Sequence, residues 1–174
     1  MARQTIRSEG NKAEVEFLKL VDGARLSDNP RRGDVIVPVD GKDFYVEIKE
    51  CHAKPSGTGT INQVRPIKYI CCVIWAPKHG YWYVLSPDQL VRFAAEKKRG
   101  QHTEIPFECM NFSLSSLDEE YHTKCKGKNL AKVVVEAVRR GETHASLRAL
   151  MNDAFQEIRA MSEKYKQAVK EHRV

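Results

Sequence analysis

Apolar and polar side chains alternate most regularly between Asp34 and Lys49. Val35, Val37 and Val39 occupy every second position of one run, and Phe44, Val46 and Ile48 do so in the next. Period two is the pattern of a strand with one buried face. Between the runs stands Asp40-Gly41, a dipeptide that tolerates the positive φ angles of a two-residue hairpin turn. That turn pairs Val39 with Lys42 and carries the ladder down until Asp34 faces Glu47. The apolar residues then share one side, while Asp34, Glu47 and Lys49 share the other. Residues paired in this way have Cβ atoms about 5 Å apart.

The rest of the pattern reads as alternating helices and strands. Residues 8–23 form an amphipathic helix, with Ser8 as cap, Gly23 at the C′ position, and either Val15, Leu18 and Val21 or Phe17 and Leu20 as its apolar face. A further strand fits around Ala24 to Asp28, before the Asn29-Pro30 turn. Glu50 to Thr60 is rich in Gly, Ser and Thr and reads as a mobile loop. Ile61 to Tyr69 reads as a helix restarted at Pro66. Ile70 to Ala76 is a continuous apolar run, as in a strand buried on both faces, and Tyr81 to Leu85 is the next strand. Ser86-Pro87 opens a helix that ends by Gly100. Glu104 to Asn111 suits an extra strand, and Ser113 to Thr123 a loop with a helical turn. Leu130 to Arg140 suits a helix stopped at Gly141, and Thr143 caps a long final one. The pattern predicts an α/β fold, a central mixed sheet flanked by helices. Residues 1–110 form the core, and 111–174 a mainly helical extension that packs on it or mediates dimerisation.

Composition narrows the partners. The chain has 174 residues, enough for one domain with its own core and a helical appendage. Its 29 Lys and Arg against 23 Asp and Glu leave a charge of +6, which suits a polyanionic partner. The N-terminus is polar and no apolar run approaches the roughly 20 residues that span a bilayer. A cytoplasmic protein without a membrane partner is therefore expected. The 5 cysteines show no C-x-x-C pair, so reduced structural thiols are the natural reading.

Two carboxylates held across a hairpin repel each other unless a cation lies between them. One or two carboxylates, completed by waters and substrate phosphates, are the usual protein share of a Mg²⁺ site. A neighbouring ammonium orients water and stabilises negative charge that develops on a phosphate. The plain alternative is a solvated strand face of Asp, Glu and Lys with no role for a metal.

Gly33-Asp34, then 12 residues, then Glu47-Ile48-Lys49 resembles the motif of the PD-(D/E)xK nucleases, the core of many restriction endonucleases and some junction and repair nucleases. The resemblance implies a restriction-endonuclease-like core in which Asp34 and Glu47 bind Mg²⁺, with Mn²⁺ as a substitute, and Lys49 assists the attacking water. It offers Glu14 and the backbone carbonyl of Ile48 as further candidate ligands, and Gln63 as an accessory group that orients the site. Arg31, Arg32, Lys54, Asn62, Arg65 and Lys68 are candidate contacts to DNA. Gly33 departs from the motif, which has proline there. The implied activity is Mg²⁺-dependent cleavage of double-stranded DNA by a homodimeric type II restriction enzyme, one site for each strand. The alternatives are a structure-selective junction or repair nuclease and a non-catalytic DNA-binding subunit with the same fold.

Overall fold

The computed structural model describes residues 12–29, 31–54, 57–66, 70–98, 100–101, 106, 108–143 and 145–171. Helix α1 spans Lys12–Leu20, and Gly23 at φ 75° reverses the chain after it. The expected cap Ser8 lies outside the described residues. Strands β1 (Arg25–Leu26), β2 (Val35–Val39), β3 (Lys42–Glu50), β5 (Cys71–Ala76), β6 (Tyr81–Leu85) and β8 (Thr123–Cys125) form one sheet in the order β1-β2-β3-β5-β6-β8. Only the central β3–β5 pair is parallel, so the sheet is mixed. Strands β4 (Thr60–Val64) and β7 (Met110–Ser113) make a separate antiparallel pair. Helices α2 (Pro87–Ala95), α3 (Leu130–Thr143) and α4 (Ala145–Glu171) complete the fold.

Alternation along the sheet builds two cores. Val35, Val37, Val46, Ile48, Val73, Trp82 and Val84 face one side, where α1 supplies Ala13 and Phe17 and α3 supplies Leu130 and Val134. Trp82 anchors this layer, stacked on Trp75 at 4.5 Å between ring centroids. Cys72, Ile74, Tyr83 and Leu85 face the other side, where α2 and the β4–β7 pair cover them. Cys71 to Ile74 are all buried, as their unbroken apolar run requires. Burying side chains such as these contributes roughly 1.5–3 kcal/mol each.

Helix α2 starts where the sequence places it. Gln89 Oε1 accepts the N–H of the N-cap residue Ser86 at 3.1 Å, one arm of a capping box. Arg140 on α3 donates to the buried Asp88 carboxylate at 2.7 Å and ties the two helices together.

Two expectations need correction. Residues 60–64 form strand β4, not the first part of a helix over 61–69; 67–69 lie outside the described residues. Ile61 and Val64 are both buried, and their spacing of three suits a bulged strand as well as a helix. The missing partner in the local pattern was β7, far along the chain. The boundary also moves: the first compact unit is Met1–Thr143 and the second His144–Val174, so β7, β8 and α3 belong with the sheet, not with an extension from residue 111. Among the described residues, no helix is long and apolar enough to cross a membrane.

Candidate functional site

The hairpin keeps the expected register from Val39 and Lys42 down to Val35 and Val46, where the ladder ends; the expected pairing of Asp34 with Glu47 is not part of it. Asp40 and Gly41 turn at φ 51° and 76°, and Val39 pairs with Lys42, Val37 with Phe44 and Val35 with Val46. Asp34 stands one step ahead of the ladder, where its N–H still reaches the Val46 carbonyl at 3.0 Å. Its carboxylate Oδ2 accepts the Ile48 N–H at 2.8 Å. The N–H and C=O of a strand residue point to the same neighbour. The Ile48 carbonyl therefore opens on the side where Asp34 lies. Gly33 keeps this entrance tight: a Cβ there would meet the Tyr45 Cβ at 3.0 Å and the Val46 backbone at 3.2 Å. That crowding suits glycine at this position.

Glu47 lies on the second face of β3, only 5% exposed. Its Oε1 is 2.8 Å from the Lys49 ammonium, while Oε2 is buried with no hydrogen-bond partner among the described residues. Leaving a buried acceptor unsatisfied costs about 1–3 kcal/mol, so such an atom calls for a partner. Burial alone would lower the Lys49 pKa. The charge and hydrogen bond of Glu47, with weaker help from Cys72 and Asp34, outweigh it and hold the pKa above its ordinary value. Lys49 is thus an ammonium at neutral pH.

Glu14 on α1 belongs to the same electrostatic group. Burial raises its pKa first, the negative charge of Asp34 raises it further, and Lys49 partly offsets both. An uncompensated concentration of carboxylates is what a cation relieves.

Among the described residues, no group of three or more His, Cys, Asp and Glu side chains converges as a ready-made metal cage. A full cage is not what Mg²⁺ needs, because it keeps several waters and takes only one or two carboxylates. The hard oxygens of Asp34 and Glu47, one of them buried without a partner, fit that ion.

No protein-family model, curated protein or solved structure matches this chain. The candidate site therefore rests on its own geometry.

The other candidate residues scatter more widely. Arg31 and Arg32 are exposed beside the hairpin, and the Arg32 guanidinium lies over the Tyr45 ring at 4.3 Å. Lys54 is exposed just past β3, and the turn that follows closes through Gly57 N–H to the Lys54 carbonyl at 2.8 Å. Gly59, on the loop expected to be mobile, is buried against Cys51 and Ala53. Asn62 and Arg65 are exposed on or beside β4. Gln63 is exposed at φ 55°, and its backbone N–H binds Gln101 Oε1 at 3.1 Å and Asn111 Oδ1 at 2.9 Å. No described contact brings its side chain to Glu47 or Lys49. Lys68 lies outside the described residues.

Cys109 is a neighbour that sequence reasoning missed. Burial raises its pKa, and the charges of Arg65, Glu47, Lys49 and Glu108 all reach it. It immediately precedes β7, and no local sequence pattern marks it.

Proposed function

We propose that this chain is a Mg²⁺-dependent endonuclease that hydrolyses phosphodiester bonds of double-stranded DNA. In this reading it has a restriction-endonuclease-like core and works as a homodimeric type II restriction enzyme. The observation that carries the reading is the buried, unpartnered Oε2 of Glu47, whose other oxygen is paired with Lys49. In this reading the open acceptor of Glu47, on a carboxylate already paired with Lys49, is where the ion binds.

Asp34 and Glu47 would hold the ion, with the Ile48 carbonyl opening towards the same place. Bound there, Mg²⁺ supplies Lewis-acid stabilisation of charge on the scissile phosphate. The chain's own groups do the rest. Asp34 is fixed by the Ile48 N–H, so its second oxygen is aimed and not free to wander. Lys49 keeps its proton and donates to a phosphate oxygen or to the attacking water, which it orients. Water adds to phosphorus and loses a proton to solvent, the bond from phosphorus to the leaving sugar oxygen breaks, and that oxygen takes a proton from solvent and departs as a hydroxyl. Glu14 adds negative charge that favours the cation.

The direct test incubates phage and plasmid DNA with Mg²⁺, with EDTA, and with Glu47→Ala protein. Discrete fragments in Mg²⁺ alone support a restriction enzyme, and a smear an unspecific nuclease. A strong preference for a branched substrate would favour the junction nuclease. Cleavage that survives both EDTA and the substitution would remove the mechanism.

A further inference from the structure

The β4–β7 pair carries a second feature, on the side away from the core. Ile61 pairs with Phe112 and Val64 with Met110, so Asn62 and Gln63 together stand opposite the single residue Asn111. This is a bulge. Ile61 and Val64 are both buried, at 1% and 0% exposure, and the two residues between them are both exposed. Regular alternation would have buried one of the pair. The bulge instead turns both carboxamides outward.

The bulge is held, not accidental. Gln63 has φ 55°, a left-handed conformation that non-glycine residues rarely adopt. Two side-chain amides, from Gln101 and Asn111, converge on its N–H to keep it there. Strained backbone supported in this way concentrates at functional positions. Arg65 follows two residues later, exposed. Strand β4 packs against β3, the strand that carries Glu47 and Lys49.

We propose that the β4–β7 ribbon enters the major groove of duplex DNA and reads bases there, with Asn62 and Gln63 as the specificity-determining residues and Arg65 beside them. The proposal rests on the nuclease reading and deepens it. The major groove is about 12 Å wide and admits a two-stranded ribbon, whose strands lie about 4.8 Å apart. Asn and Gln carboxamides make paired hydrogen bonds to adenine N6 and N7, and Arg does so to guanine O6 and N7. The net charge of +6 supplies the general attraction to phosphate on which such readout is superimposed. The groove of an RNA duplex is too deep and narrow for side chains to read, which selects DNA.

The test is selection of bound duplexes from a randomised DNA library, with Ca²⁺ present, followed by sequencing. The proteins are wild type, Asn62→Ala, Gln63→Gly and Arg65→Ala; glycine accepts the positive φ at 63, so the loss of the amide is separated from backbone strain. Melting curves check that each variant folds. The expected result is a short motif for wild type and about a tenfold to hundredfold loss of preference at one or two positions in each variant. A motif that persists unaltered in all three folded variants overturns the proposal. So does wild-type protein that cleaves DNA without base preference, which leaves the nuclease reading intact. Wild-type protein that neither binds nor cleaves DNA overturns both.

Discussion

The ammonium of Lys49 lies 2.8 Å from Oε1 of Glu47, two residues earlier on the same strand and the same face. The Glu47 side chain is 7% exposed and that of Lys49 23%, so the pair is largely withdrawn from water. Breaking such a pair from one side leaves an isolated buried charge. Lys49→Ala is therefore expected to destabilise the fold by about 3 kcal/mol. Adding Glu47→Gln should recover part of that loss, because the charge left behind is removed. Urea denaturation of the two single variants and the double variant measures the coupling. A double variant no more stable than Lys49→Ala alone would contradict it.

The proposed site requires divalent cations to stabilise the folded protein, because the hairpin that carries Asp34 and Glu47 forms only on folding. At about one hundred times the dissociation constant, the gain is about 2.7 kcal/mol. Calorimetry and thermal melting with Mg²⁺, Mn²⁺ or Ca²⁺ read it directly. Asp34→Asn should abolish the effect yet fold normally, because its side-chain oxygen still accepts the Ile48 N–H. Asp34→Ala removes that acceptor as well and should cost a further 1–3 kcal/mol or so. A melting shift undiminished in Asp34→Asn would place the cation elsewhere.

Glu14 makes a prediction of opposite sign. Its pKa is raised first by burial and then by Asp34, so the ionised form is less favourable in the folded chain than in the unfolded one. That penalty is present at pH above the folded pKa and disappears as the pH falls below the unfolded value of 4.5. Glu14→Gln should stabilise the metal-free protein at pH 7, and that advantage should shrink as the pH falls towards 4.5. The same change should weaken divalent-ion affinity. Paired melting curves at pH 5 and pH 7 test the first half, and titration calorimetry the second.

Lys49 governs the alkaline side. Its folded pKa lies above the unfolded one, with burial opposing and Glu47 prevailing. The stability it contributes is complete below the unfolded pKa and is lost as the pH rises through the folded pKa. This contribution should hold steady from neutral pH to about pH 10 and then fall, adding to the decline that sets in from about pH 9 as the buried thiols of Cys71, Cys72 and Cys125 ionise only in the unfolded chain. In Glu47→Gln that alkaline fall should begin earlier. A wild-type curve that declines between pH 7 and 9 would point to another group.

Gly33 should resist substitution by any residue that carries a Cβ. A Cβ there already meets the Val46 backbone at 3.2 Å, and backbone cannot step aside as a side chain does. Gly33→Ala is expected to cost about 1–3 kcal/mol, and Gly33→Pro more. Both should weaken cation binding by displacing Asp34, and the cation-induced melting shift reports that separately from stability.

Much of the site was legible because it is local. The hairpin is closed by its own turn, and Val39 to Lys42 pairing at Asp40-Gly41 settles every partner down to Val35 and Val46. Period-two alternation then assigns each side chain to a face, without reference to any other part of the chain. The capped start of α2 at Ser86-Pro87 and the buried run through Cys71–Ile74 were readable for the same reason.

Tertiary structure decided what depends on distant partners. Ile61 and Val64, three apart, carry one message for a helix and another for a bulged strand, and only β7 at Met110–Ser113 selects between them. The burial of Glu47 was likewise invisible in sequence, where a strand face of Asp, Glu and Lys reads as wet. It becomes dry because the second core of β4, β7 and α2 covers that side of the sheet. Sequence alone determined which residues of the hairpin share a face, since that follows from a two-residue repeat. Whether the face met water was set by segments up to some sixty residues further along the chain, whose arrival no local periodicity encodes.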